Sequence, residues 1–203
     1  ASHAIGTLFK LFGEEGLSYL KKGDTDMIAS PAYSPYNSVL EHRGLSIFPL
    51  SLDPITGVPS QRSIDWMKDG GSNDGRNGAD RKIKLIVFID PNNPTGTSGR
   101  EEFLQTLADF AEKNDSIVIT DEVYSDFFPP KKSLIDFCPK RVLRIHARSK
   151  IERSTGLRFG DLLVNCEAQQ YLSKCFGMDF IRAFINAKAP GGIDGAFFHT
   201  TFV

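Results

Sequence analysis

No apolar run in the sequence approaches the roughly 18 residues a membrane-crossing helix needs, and the N-terminus has no charged-then-apolar layout of a signal segment. Cysteine is scarce. The three thiols, Cys138, Cys166 and Cys175, are odd in number and lack metal-ligand spacing, so they imply neither a disulfide framework nor a zinc site. Reducing cytosol is the expected compartment, and solubility the expected state. Charge of one sign is missing too: 24 Lys and Arg face 25 Asp and Glu, spread along the chain for a net charge of -1. That leaves no electrostatic footprint for nucleic acid or for an anionic membrane surface.

What is present suits one substantial core. The chain has 203 residues, 40% of them hydrophobic and 24% charged, so a single domain is the expectation. It opens at Ala1, without a starting Met, directly on an amphipathic run with Ser2 available as N-cap and Ala4, Ile5, Leu8, Phe9, Leu11 and Phe12 at helical spacing. A helix beginning at the first residue suggests further sequence upstream. Met27–Ala29 then reads as a short strand, Tyr36–His42 as a helix and Leu45–Leu50 as a strand, punctuated by Gly and Pro. Residues 69–80 hold four glycines and almost nothing to bury, which predicts a mobile solvated loop. Ile83–Ile89 is a continuous apolar, β-branched run, as expected of a parallel strand covered on both faces. A helix over 100–113 and a strand at Ser116–Thr120 complete a crossover unit. Strands at Val142–Ile145 and Asp161–Val164 and helical segments near 167–176 and 179–187 follow. The expectation is an α/β fold with a mainly parallel sheet.

In open parallel sheets ligands bind beyond the carboxyl ends of the strands, so the residues just after each predicted strand carry the functional signal. After Ile83–Ile89 comes the Pro, Asn and Gly-dense turn Asp90-Pro91-Asn92-Asn93-Pro94-Thr95-Gly96. After Ser116–Thr120 come Asp121-Glu122-Val123-Tyr124, two carboxylates and a phenol at a strand end, where a buried carboxylate is costly unless paired. After Val142–Ile145 come His146-Ala147-Arg148-Ser149-Lys150, then Gly156-Leu157-Arg158-Phe159-Gly160. Taken singly, each is explained by a tight loop or a solvated lysine. A nicotinamide-binding Rossmann enzyme is disfavoured, because no Gly-x-Gly-x-x-Gly follows a first strand.

In this order the stations resemble the class I/II aminotransferases, pyridoxal-phosphate (PLP) enzymes. The family's Asn-Pro-x-Gly turn is matched by Asn93-Pro94-Thr95-Gly96, its Asp-x-x-Tyr by Asp121 and Tyr124, and its Ser-Lys-x(7)-Arg-x-Gly by Ser149-Lys150, Arg158 and Gly160. The opening Ala1-Ser2-His3-Ala4 is similar to its small-residue turn at a helix start, and Ser30-Pro31-Ala32-Tyr33 to the segment bearing its stacking aromatic. The resemblance implies a three-layer α/β/α large domain over 1–188, with 189–203 a Gly and aromatic-rich tail and the family's small domain unrecognisable.

It also implies roles. The backbone of Ala1, Ser2 and His3, the Ser2 hydroxyl, Ser149 and Arg158 would hold the cofactor phosphate, which suits a helix N-terminus and a cationic fork. Asp121 would pair with the ring nitrogen and keep it protonated. Asn93 and Tyr124 would donate to the ring's phenolic oxygen, and Tyr33 would stack on the ring face. A cis bond before Pro94 would aim Asn93 at the cofactor. Lys150 would form the Schiff base and then move the Cα proton, jobs that need a partly neutral amine, favoured by desolvation and by Arg158 or Arg148 nearby. Ala147 stands where many relatives carry a second serine. His146, Arg148 and Arg153 have no assigned duty beyond surface or structure, and Asp90 and Glu122 are expected to be structural hydrogen-bonders. The implied activity is amino transfer between an amino acid and a 2-oxo acid by a homodimer. β-Lyase, decarboxylase or cyclase chemistry, or an inactive PLP-binding remnant, are the alternatives.

Overall fold

The computed structural model describes residues 19–71, 82–153, 160–186 and 198–202. The helix expected over 2–12, positions 72–80 of the glycine-rich loop, and Ala1, Ser2, His3 and Arg158 lie outside these. Strand β1 (Thr25–Ser30) leads through helix α1 (Pro35–His42) to β2 (Ser46–Ser51). Helix α2 (Gln61–Lys68) precedes β3 (Ile83–Ile89), and α3 (Glu101–Asn114) joins β3 to β4 (Ile117–Asp121). A short turn of helix α4 (Leu134–Phe137) precedes β5 (Val142–His146), followed by β6 (Gly160–Val164), α5 (Cys166–Asn186) and β7 (Phe198–Phe202).

The strands form one sheet in the order β2-β1-β3-β4-β5-β6-β7. β1 to β5 run parallel, β6 is antiparallel to β5, and β7 runs parallel to β6. Phe198–Phe202, part of the segment read from sequence as a tail, is thus an edge strand. Alternation along the strands feeds two apolar layers. Leu85, Val87 and Ile89 face one side with Ile28, Ile119 and Ile145, covered by Tyr36 and Leu40 of α1 and Ala168 and Leu172 of α5. Ile86 and Phe88 face the other with Met27 and Val118, covered by Met67 of α2, Leu134 of α4, and Phe103, Leu104 and Leu107 of α3. This is the three-layer α/β/α arrangement, and it explains why β3 is apolar from Leu85 to Ile89, where neither face meets water, while Lys84 at its start pairs with Asp24.

Local chemistry sets the helix ends. Ser60 caps α2 by accepting from the Ser63 N–H at 3.3 Å. Helix α3 carries Glu101 and Glu102 in its first turn and Lys113 in its last, complementing its dipole, and ends on Asp115 with φ 57°. Helix α5 breaks at Gly177, φ 79°, so the two helical segments expected there are two helices meeting at a kink. Among the described residues no helix is long and apolar enough to cross a membrane.

From β1 the chain steps outward to β2, then returns to the opposite side for β3 and continues to β4 and β5. The direction reverses between β1 and β3, and a crevice opens at such a point, beyond the carboxyl ends of the strands.

Candidate active site

The parallel register brings the carboxyl ends together. Ile89 lies beside Asp121, and Asp121 beside Ile145. The sheet hydrogen bonds continue one residue beyond: the Asp90 N–H donates to the Asp121 carbonyl at 3.0 Å and the Glu122 N–H to the Ile145 carbonyl at 2.8 Å. The segments after β1, β3, β4 and β5 therefore share one edge, and each carries at least one of the expected site residues.

Asp121 ends β4 and is buried, with 4% of its surface exposed. A carboxylate without partners there would cost more than a buried Leu gains, about 1.5–3 kcal/mol, so its contacts are required by the fold. One oxygen accepts the Tyr36 hydroxyl at 2.7 Å and the other the Val123 N–H at 3.3 Å. Burial pushes the carboxyl above its ordinary range, and the Tyr36 and Val123 donors and the Lys150 charge pull it back only in part. Among the described residues no cation is ion-paired with Asp121.

Tyr33 lies beyond β1, 38% exposed, with its ring edge-to-face to Tyr36 at 6.5 Å between centroids. Tyr124 is half-buried, and the Lys150 ammonium lies over its ring at 5.5 Å from the centroid. Tyr33, Tyr36 and Asp121 are thus connected contact by contact, and Lys150, over the Tyr124 ring, lies near enough for its charge to act on Asp121. Asn93, Tyr124 and Ser149 are half-buried, and their side-chain polar atoms have no hydrogen-bond partner among the described residues. Donors left unused at the sheet edge that carries a buried carboxylate are what a polar ligand would take up.

Two expectations are corrected. The cis bonds precede Pro31 and Pro91, not Pro94. Asn93 is placed instead by its neighbour Asn92, buried at 5%, which donates to the Pro31 carbonyl at 2.9 Å and accepts from the Thr95 N–H at 3.2 Å and its hydroxyl at 2.9 Å. Asn92 so clamps the Asn-Pro turn onto the segment that carries Tyr33. Lys150 is exposed, not desolvated, because it sits in the turn beyond β5, outside both apolar layers. Arg148, offered as a nearby cation, is also exposed and pairs with Glu152 at 3.2 Å.

The supporting residues behave as their chemistry requires. Asp90 accepts from the Ser98 hydroxyl at 2.6 Å and the Gly99 N–H at 3.1 Å, and pairs with Lys131 at 2.5 Å. Glu122 pairs with Arg144 at 2.7 Å and accepts from the Thr120 hydroxyl at 3.3 Å and from Ser133. His146 sits 3.0 Å from an Asp126 oxygen and 3.8 Å from one of Asp161. Ala147 is buried and carries no polar group. Among the described residues no group of three His, Cys, Asp or Glu is placed to hold a metal.

Tyr36 and Asn92 are the site residues that sequence reasoning missed. A signal for Tyr36 existed: with Leu40 it forms the buried face of α1, and a buried phenol must find an acceptor. Asn92 was hidden by the adjacent Asn93, since residue type alone does not say which of the two points into protein.

The family profile described as "Aminotransferase class I and II" matches residues 2–182. The chain is 30% identical over 158 residues to a Methanocaldococcus jannaschii protein named "Probable aspartate aminotransferase", covering 77% of this chain and 39% of that one. Among solved structures it is similar to a double mutant of Thermus thermophilus aspartate aminotransferase, with TM-score 0.61 and 25% identity over 77% of this chain and 37% of that one. It is also similar to a PLP-bound C–S lyase from Staphylococcus hominis, with TM-score 0.59 and 25% identity over 76% of this chain and 38% of that one. The chain therefore spans well under half the length of these relatives.

Proposed function

The chain belongs to the aminotransferase class I and II family, and from that premise we propose that its strand-end cluster binds pyridoxal 5'-phosphate and serves amino transfer between an amino acid and a 2-oxo acid. The observation that carries the reading is Asp121. Its buried carboxyl, raised by desolvation and only partly offset by the donors around it, calls for a cationic partner at the same edge as Lys150, which has no ion pair among the described residues. A protonated pyridine nitrogen is such a partner, and it fits an aromatic-walled crevice as a metal ion would not.

When bound, PLP supplies an electron sink for the charge that develops at the substrate Cα. The chain's own residues do the rest. Lys150 is the amine that would hold the cofactor and, once released from it, would take the proton from the substrate Cα. Its exposure favours this double duty, since an amine on a turn swings between the two positions without disturbing the core. Asp121 would hold the proton at the ring nitrogen. Tyr33 would cover a ring face, and Asn93 and Tyr124 would donate to the phenolic oxygen. Ser149 and Arg158, with the backbone of Ala1, Ser2 and His3, would take the phosphate. A homodimer and a cytoplasmic location belong to the same reading.

The test is stepwise. PLP added to the full chain should produce a visible absorption band that borohydride fixes covalently, and Lys150→Ala should abolish both. With an amino-acid donor the bound cofactor should convert to its amine form as a 2-oxo acid appears. A colourless protein that takes up no PLP would sink the reading. The similarity to a C–S lyase supports a second outcome, release of pyruvate, ammonia and a thiol from an S-substituted cysteine, which would keep the cofactor and replace the reaction.

A further inference from the structure

Tyr36 lies one turn of chain beyond Tyr33, on the buried face of α1, with no exposed surface. Its hydroxyl donates to Asp121 at 2.7 Å across 85 residues of sequence, inside the apolar layer formed by Ile28, Leu40, Ile119 and Ile145. A phenol placed there for packing alone would be better replaced by Phe, which buries the same ring without a polar tip. The tip serves the carboxylate. One Asp121 oxygen is held by Tyr36 and the other by the Val123 N–H, so rotation of the carboxyl is blocked from both sides.

We propose that Tyr36 is a positioning residue for the cofactor ring: its phenol keeps Asp121 ionised and aimed, so that a shared proton rests on the ring nitrogen and not on Asp121. This rests on the reading that the site takes PLP. The physical argument concerns one proton and two bases. Asp121 and a pyridine nitrogen facing each other in a dry site share one proton over a wide pH range, and its place depends on which base is better stabilised in its charged form. A hydrogen bond to the carboxylate stabilises only the arrangement with the carboxylate ionised and the nitrogen protonated. Hydrogen bonds to charged groups are worth enough to shift such a balance about tenfold or more. Tyr36 also touches Tyr33, edge to face at 6.5 Å, so one helix start places both the ring's stacking partner and the donor behind its acidic partner.

The test is Tyr36→Phe in the full chain, loaded with PLP labelled with 15N at the ring nitrogen. In the parent protein the ring resonance should sit at the protonated position near neutral pH. In Tyr36→Phe it should move toward the neutral-pyridine position, the ratio of ring-protonated to Asp121-protonated forms falling about tenfold or more. A lost packing contact alone would not move that resonance. An unchanged resonance in a folded, PLP-loaded variant overturns the assignment. Should Tyr36→Phe fail to fold, the coupling is read in stability: adding Asp121→Asn restores folding if the phenol serves the carboxylate, and failure to restore it overturns the proposal. Failure of the cofactor reading looks different, because the parent protein then takes up no PLP at all, and this proposal falls with it.

Discussion

The two edges of the parallel sheet treat polar groups in opposite ways. At the amino edge the Tyr19 hydroxyl donates to the Lys84 carbonyl at 3.0 Å and lies 2.9 Å from that of Asp115. Arg141 binds Asp115, reaches the Tyr171 hydroxyl at 2.7 Å and lies over its ring at 4.3 Å, while Lys84 pairs with Asp24 at 2.8 Å. Burial alone would raise the Asp115 carboxyl, but the Arg141 and Tyr171 hydrogen bonds hold it below its ordinary range. At the carboxyl edge Asn93, Tyr124 and Ser149 keep their side-chain polar atoms unpaired among the described residues, and Asp121 stays raised despite its donors. Saturated groups stabilise a fold, and unsaturated ones at a crevice are available to a ligand. The difference assigns stability to one edge and, under the proposed function, chemistry to the other.

The largest expected effect breaks the comparison most cleanly. Lys150→Ala should reduce turnover about 10²–10⁴-fold or more, the contribution of a positioned acid–base group. It should leave thermal unfolding within about 0.5 kcal/mol of the parent, because Lys150 is an exposed turn residue. Activity assays and calorimetry on one preparation read both. A large loss of stability would place Lys150 among the structural residues.

Asp26 is the exception at the amino edge, and it sharpens the comparison through pH. It is fully buried on β1, neither oxygen has a partner in good hydrogen-bond geometry, and burial, then Asp24, push its carboxyl from 3.8 to about 7, with Lys84 and the Leu85 N–H offsetting only part. Since the folded value lies above the unfolded one, the folded state binds this proton more tightly. Asp26 therefore contributes stability that is complete below pH 3.8 and is lost as pH rises through about 7. Denaturant titrations between pH 5 and 8.5 should show stability falling by about 3 kcal/mol, and Asp26→Asn should flatten that slope. Parallel slopes for the two proteins would remove Asp26 as the cause.

Arg141→Leu comes next. It removes the cation shared by Asp115 and Glu112 and the donor to Tyr171. A loss of about 1–3 kcal/mol is expected, with PLP affinity unchanged. Weakened PLP binding at unaltered stability would reverse the assignment of the two edges.

How much of this was legible in the sequence follows from which signals are local. Ile83–Ile89 and the helix after it were readable because burial on both faces, or on one helical stripe, imprints a pattern on consecutive residues. Helix α2 was missed: of its eight residues only Met67 is buried, so its stripe is faint. Strand β7 follows a glycine-rich stretch and among the described residues pairs only with β6, so nothing local marks it. At the site, Asn93, Asp121, Tyr124 and Lys150 were readable because their spacing matches a family pattern. Their convergence was not, since it depends on register between strands far apart in sequence. The Asp121 partner Tyr36, 85 residues away, belongs to this second kind, as does the Asn92 bond to Pro31 across 61 residues. The exposure of Lys150 was misjudged because chemical need was read as burial.

The smallest predicted effect tests the comparison at its weakest point. Ser149 is half-buried next to Lys150, with no hydrogen bond to any described residue. Ser149→Ala should therefore cost the fold nothing measurable, while PLP affinity falls by about three- to tenfold, the worth of one hydrogen bond to the phosphate. Fluorescence titration with PLP and a thermal melt separate the two quantities. If the melt drops and the affinity holds, the hydroxyl is a structural group at the wrong edge, and an unpaired polar atom no longer marks a ligand contact in this sheet. If the affinity drops alone, the same reading extends to Asn93 and Tyr124, whose side-chain polar groups are unpaired in the same way.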